Sequence, residues 1–145
     1  MTPWLIAGLV VCVDRLTKLF VQAALVPGQT VPLIPSVLHL TYVHNTGAAF
    51  GLFRGQGWWL VAVSLVICGW IVRQLRHPDA APRAIRMSFA LVLGGAIGTL
   101  VDRVWLGSVV DFIDLRVWPV FNVADACITI GVGWLLWQSL AKKHA

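Results

Sequence analysis

The stretch V-V-D-F-I-D-L-R-V-W-P-V-F-N-V-A-D, residues 109–125, sets two carboxylates, Asp111 and Asp125, beside a strongly apolar segment. The chain's six acidic residues are all Asp; there is no Glu. Ionisable groups next to hydrocarbon are costly and are by default candidates for function. Two carboxylates held within a few ångströms cannot both ionise easily, so one keeps a raised pKa and the pair shares a proton. Such a dyad activates water. The charged partner takes a proton from a water between them, while the protonated partner donates toward a peptide carbonyl oxygen. A tetrahedral diol forms and collapses, releasing an amine. Asp111 and Asp125 lie on either side of Trp118-Pro119, a turn that could fold one back over the other. Ion pairs with Arg103 and Arg116 are the competing structural reading.

The rest of the chain must hold those groups in a membrane. Its 145 residues suffice for one domain, 1–145, and are 59% hydrophobic and only 12% charged, with eight Trp. Mean hydropathy is +0.83. A soluble domain is usually about 25% charged, and so small a globule could not hide this much apolar side chain. The net charge of +5 does not point to nucleic acid. The basic residues sit between apolar runs, where membrane topology explains them. Cys12, Cys68 and Cys127 each lie in an apolar run without metal-ligand spacing, so free, buried thiols are expected. No metal or cofactor is expected, and the chain is read as a monomer.

The pattern predicts an all-α integral membrane protein with four transmembrane helices, at about 4–25, 58–75, 84–104 and 120–140. A small extracytoplasmic β-like ribbon falls between the first two. The N-terminal run has no basic n-region and no small-x-small cleavage site, so it reads as a retained span. That span carries Asp14 and Lys18 four apart, on one helix face, as a self-neutralised stripe or a substrate-facing pair. Pro27 and Gly28 end it. V-L-H-L-T-Y-V, residues 37–43, has strand character. H-N-T-G-A-A-F-G follows, where Asn45 offers both donor and acceptor. In the third span Gly94 and Gly98 have small-xxx-small spacing for close helix approach. Asp102 and Arg103 read there as a neighbouring salt bridge. Residues 105–119 read as a short connection containing Asp111, Asp114 and Arg116. V-D-R-L at 13–16 against V-D-R-V at 101–104 is treated as coincidence.

Arg73, Arg76, Arg83 and Arg86 stand against Asp79 alone in the second connection, and Lys142, Lys143 and His144 end the chain. The positive-inside rule makes both cytoplasmic, and with four spans the N-terminus too. Asn45, Asp102, Asp111 and Asp125 then gather at one level near the outer face. A proton relay would spread its acids through the bilayer depth. A metallopeptidase using His39 and His44 lacks an H-x-x-x-H helix face. Trp58, Trp59, Trp105 and Trp118 fall near the outer boundary, where such rings prefer to lie.

Five motifs, in order, resemble the lipoprotein signal peptidase (signal peptidase II) family: D-R-L-T-K (14–18), N-T-G-A-A-F-G (45–51), G-G-A-I-G-T-L-V-D-R (94–103), V-V-D-F-I-D (109–114) and F-N-V-A-D-A-C-I (121–128). The resemblance implies an aspartic endopeptidase of the bacterial inner membrane. It would cut diacylglyceryl-modified prolipoproteins just before the lipidated cysteine and be a target of globomycin-type peptides. Asp111 and Asp125 match the family's catalytic pair. Asp14, Lys18, Asn45, Gly47, Asp102, Arg103, Asn122 and Ala124 match its active-site surround. The family usually has Asn where this chain has Thr99, whose hydroxyl has the shorter reach. The diacylglyceryl tail would stay among membrane lipids while residues 29–56 clamp the peptide.

Overall fold

The structure, a computed structural model, describes residues 1–47, 55–77 and 81–143, without the side chains of 142 and 143. Asp79, His144 and residues 48–51 of the Asn-Thr-Gly motif lie outside the described residues, as do the side chains of Lys142 and Lys143. The elements run α1 (Pro3–Ala24), β1 (Thr30–Ile34), β2 (Leu38–Asn45), α2 (Gly57–Arg76), α3 (Arg83–Leu106), β3 (Val109–Asp114) and α4 (Val123–Lys143).

Local chemistry sets the helix ends. The Thr2 hydroxyl accepts the Leu5 N–H at 3.3 Å, and Pro3, which lacks an N–H, opens α1. Gly107, at φ 71°, turns the chain out of α3 while its N–H closes on the Arg103 carbonyl. α2, α3 and residues 123–141 of α4 are long and apolar enough to cross a membrane. α1 is about 33 Å long at 1.5 Å per residue, but Asp14, Arg15 and Lys18 set it apart from those three.

α3 is the central helix, packed against α1, α2 and α4. Half of its apolar window is buried, against 22% for α2 and 11% for α4. Its small residues are where the neighbours close in. A Cβ on Gly94 would come 2.7 Å from Val10 Cβ, one on Gly98 2.6 Å from Asp14 Oδ2, and one on Gly95 would clash with the Ala124 carbonyl oxygen. Phe89, Ala90 and Leu93 pack there with Ala7, Ile71 and Leu75.

The all-α expectation needs correction. β1, β2 and β3 form an antiparallel sheet in that order. The hairpin falls where the ribbon was expected, but residues 109–114, read as an irregular connection, are its third strand. Val110 and Phe112 pack on Val21 and Tyr42 from one face of β3. Asp111 therefore points to the opposite face, since side chains alternate along a strand. The cysteines are free, but none is fully buried: Cys12 is exposed, and Cys68 and Cys127 are half-buried.

Candidate active site

Asp111 sits on β3 and Asp125 in the first turn of α4, and both line one open cavity of about 1110 Å³. Asn122 joins the two elements. Its side-chain amide oxygen accepts the Asp125 N–H at 2.9 Å, and its backbone N–H approaches Asp125 Oδ2 at 3.3 Å. That reciprocal arrangement is a capping box, so F-N-V-A-D starts the helix and aims Asp125 at once. This is why α4 begins at Val123 rather than near residue 120. The Asn122 amide also donates to Asp111 Oδ1 at 2.6 Å.

The second oxygen of Asp111 accepts from Asn45 Nδ2 at 2.9 Å. Asn45 is itself fixed, because its side-chain Oδ1 accepts the Gly47 N–H at 3.0 Å. Arg103 donates to the Gly47 carbonyl at 3.2 Å and lines the cavity beside both aspartates. Burial pushes the Asp111 carboxyl up, and the nearby charge of Asp125 adds to it, raising it from 3.8 to about 7. The two amides and Lys18 oppose that rise without cancelling it.

The competing ion pairs are absent among the described residues. Arg116 pairs with Asp114 at 3.0 Å, and neither it nor Arg103 forms a salt bridge with Asp111 or Asp125. The expected Asp102–Arg103 bridge is also corrected. Adjacent helical residues do not face each other. Asp102 instead turns to α1, meeting Arg15 at 2.6 Å and Lys18 at 2.7 Å. Asp14 and Lys18 do pair, at 2.7 Å, with both side chains buried.

A family model described as signal peptidase (SPase) II matches residues 6–141. The chain belongs to the signal peptidase II family. It is 46% identical over 136 residues to a lipoprotein signal peptidase of Moorella thermoacetica, covering 94% of this chain and 91% of that one. It is 43% identical over 137 residues to a lipoprotein signal peptidase of Desulfitobacterium hafniense, with the same coverage, 94% and 91%. Two solved bacterial membrane enzymes, determined by the in meso method, have the same fold. One has a TM-score of 0.92 at 31% identity, covering 97% of this chain and 88% of its own. The other has a TM-score of 0.86 at 32% identity, covering 95% and 92%.

In this signal peptidase II chain, Asn45, Gly47, Arg103, Asp111 and Asp125 line the cavity. Asp14, Lys18, Asp102, Asn122 and Ala124 stand behind its wall. There Asp14 Oδ1 accepts the Ala124 N–H at 3.0 Å and Asp102 Oδ2 the Val110 N–H at 3.2 Å. Thr99 is not brought to the cavity; its hydroxyl donates to Ala96 of its own helix at 3.1 Å. The two Asp-Arg dipeptides meet, through Arg15 and Asp102. Arg15, which interrupts the first apolar run beside Asp14, was given no partner from the sequence, and the match to V-D-R-V was treated as coincidence. His44 lines the cavity too, its ring nitrogens 2.9 Å from the Tyr42 and Ser108 hydroxyls. Leu115, Trp118 and Phe121 add apolar walls; Trp118 was expected at the outer boundary and Phe121 opens a family motif, but none of the three was read as lining a site.

Proposed function

We propose that this chain is an aspartic endopeptidase, a single membrane-embedded domain. It would cleave the signal peptide of diacylglyceryl-modified prolipoproteins just before the lipidated cysteine. The observation that carries the reading is that Asp111 and Asp125 open onto the same cavity. Asp111, raised to about 7, titrates where a shared proton is useful near neutrality. Of the pair, the ionised carboxylate takes a proton from water as the oxygen attacks the scissile carbonyl. The protonated partner donates to the carbonyl oxygen. As the diol collapses, the newly protonated carboxyl gives its proton to the amide nitrogen and the ionised one takes the proton of a diol hydroxyl, which returns the pair to its starting state.

Both oxygens of Asp111 accept amide hydrogen bonds, so its carboxylate need not reorganise when water attacks. Arg103 stands at the rim as a cation for the peptide backbone. The apolar walls suit a hydrophobic signal segment, with the diacylglyceryl chains remaining in membrane lipid.

The proposal includes four spans in the bacterial inner membrane. α1 supports this: Asp14 and Lys18 are buried inward, while Leu5, Leu9, Leu16, Leu19 and Phe20 are exposed outward. Arg73, Arg76, Arg83 and Arg86 make their end cytoplasmic, together with both termini. The cavity then lies near the outer face, at the level of a lipidated precursor's scissile bond. The enzyme works as a monomer, and globomycin-type peptides would occupy the cavity.

The experiment is cleavage of a diacylglyceryl-cysteine peptide by the full-length protein in lipid or detergent, with products mapped by mass spectrometry. A single cut before the lipidated cysteine, and none in the unlipidated peptide, is expected. Equal cleavage of both peptides would remove the proposed specificity, and cleavage of neither would remove the activity.

A further inference from the structure

Behind the cavity wall, Asp14, Arg15, Lys18 and Asp102 form a knot of charge. Lys18 is its centre and is 0% exposed; Nζ lies 2.7 Å from Asp14 Oδ2 and 2.7 Å from Asp102 Oδ2. Both are charge–charge approaches, whereas the aligned hydrogen bonds run outward from the two carboxylates. Asp14 Oδ1 accepts the Ala124 N–H at 3.0 Å. Asp102 Oδ2 accepts the Val110 N–H at 3.2 Å, and its Oδ1 takes Arg15 at 2.6 Å. Ala124 immediately precedes Asp125, and Val110 immediately precedes Asp111.

The two arms therefore have the same construction. One runs from Lys18 through Asp14 to the backbone N–H of Ala124, the residue before Asp125. The other runs from Lys18 through Asp102 to the backbone N–H of Val110, the residue before Asp111. We propose that Lys18 is a positioning residue whose single buried charge, acting through Asp14 and Asp102, fixes the spacing of Asp125 and Asp111. The inference rests on the aspartyl-dyad reading and extends it to what holds the dyad together.

The charges in the knot balance, two negative and two positive, which is what makes it tolerable inside an apolar bundle; an unpaired buried charge is strongly destabilising. The packing is shaped around it as well. Gly98 leaves the space that the Asp14 carboxylate fills, since a Cβ there would lie 2.6 Å from Oδ2. Lys18 also acts on the dyad through space. Its positive charge draws the Asp111 carboxyl down, against burial and Asp125. The charged groups acting on Asp111 are Asp125 on α4, Lys18 on α1 and Arg103 on α3, and Asp102 on α3 holds the N–H of the residue before it.

The test uses full-length protein and a diacylglyceryl-cysteine peptide, with kcat, KM, thermal unfolding and the kcat–pH profile measured for each variant. Lys18→Met should lower kcat about 100-fold, the scale of a small misplacement of catalytic groups, with KM little changed. Both limbs of its pH profile should move to higher pH, because a cation that favours the charged carboxylates is gone. Lys18→Met leaves the knot one positive charge short, a destabilising imbalance, so the charge-balanced pair Lys18→Met/Asp14→Asn accompanies it. That double variant should regain the wild-type unfolding temperature but not kcat. Wild-type kcat and pH profile in the folded double variant would overturn the positioning role. Asp125→Asn separates the two ideas: turnover retained there sinks the dyad itself. An inactive Asp125→Asn beside a fully active double variant sinks only the role of Lys18.

Discussion

Asn122 holds Asp111 at 2.6 Å through its amide nitrogen while its amide oxygen caps the helix that carries Asp125. One side chain thus couples the strand bearing one carboxylate to the helix bearing the other. Its two amide ends are not interchangeable in this role, because one must donate and the other accept.

Asn122→Asp keeps an oxygen for the Asp125 N–H but replaces the donor with a second acceptor facing Asp111. It should lower kcat by about 100-fold, as expected for a displaced catalytic group, with a smaller effect on unfolding. Asn122→Ala loses the cap as well and should also destabilise by about 1 kcal/mol. Thermal unfolding measured beside single-turnover kinetics separates these outcomes; unchanged turnover in Asn122→Asp would show that the contact does not matter.

Asp111 gives a signed pH dependence. Its carboxyl is raised on folding from 3.8 to about 7, chiefly by burial and then by Asp125. A group raised in this way contributes stability that is fully present below about 3.8 and is lost as pH rises through about 7. Asp111→Asn removes the titration. Its unfolding temperature should fall less than that of the wild type between pH 5 and pH 8, read by thermal melts in detergent. Parallel curves for the two proteins would contradict the raised value.

The glycines of α3 differ in what surrounds them. Gly98→Ala drives a methyl onto the Asp14 carboxylate, and Gly95→Ala drives one onto the Ala124 carbonyl. Each should destabilise by about 1–3 kcal/mol, as overpacking does, and lower activity. Gly133 in α4 has nothing within 4 Å of its Cβ position. Gly133→Ala should be neutral or stabilise by up to about 1 kcal/mol. Unfolding temperatures of the three variants check the contrast.

Thr99 bonds to its own helix rather than into the cavity, so its hydroxyl should be dispensable for turnover. Thr99→Ala should keep kcat/KM within about threefold, less than 1 kcal/mol of transition-state stabilisation. A loss of about 100-fold or more would place Thr99 in the peptide-binding surface after all.

Much of this was legible in the chain. Sparse charge in an apolar sequence picked out Asp14, Lys18, Asp102, Asp111 and Asp125, because hydrocarbon penalises each of them. The pairing of Asp14 with Lys18 followed from helical spacing. β3 was missed because V-V-D-F-I-D is buried along almost its whole length. It therefore lacks the apolar–polar alternation that marks a half-exposed strand. The bond from Arg103 to Gly47 and the pairing of Arg15 with Asp102 span 56 and 87 residues. No local pattern could reveal contacts that depend on how helices pack. Asn122 was recognisable as part of a motif, but its capping of α4 emerges only once Val123 is known to begin the helix.

The central claim is that Asp111 and Asp125 together activate water, and the direct measurement is turnover in Asp111→Asn and Asp125→Asn, each with thermal unfolding to certify the fold. Loss of about 1000-fold or more in kcat is expected for both, within the range that acid–base groups contribute, in proteins that remain folded. Wild-type turnover in either folded variant would contradict the account.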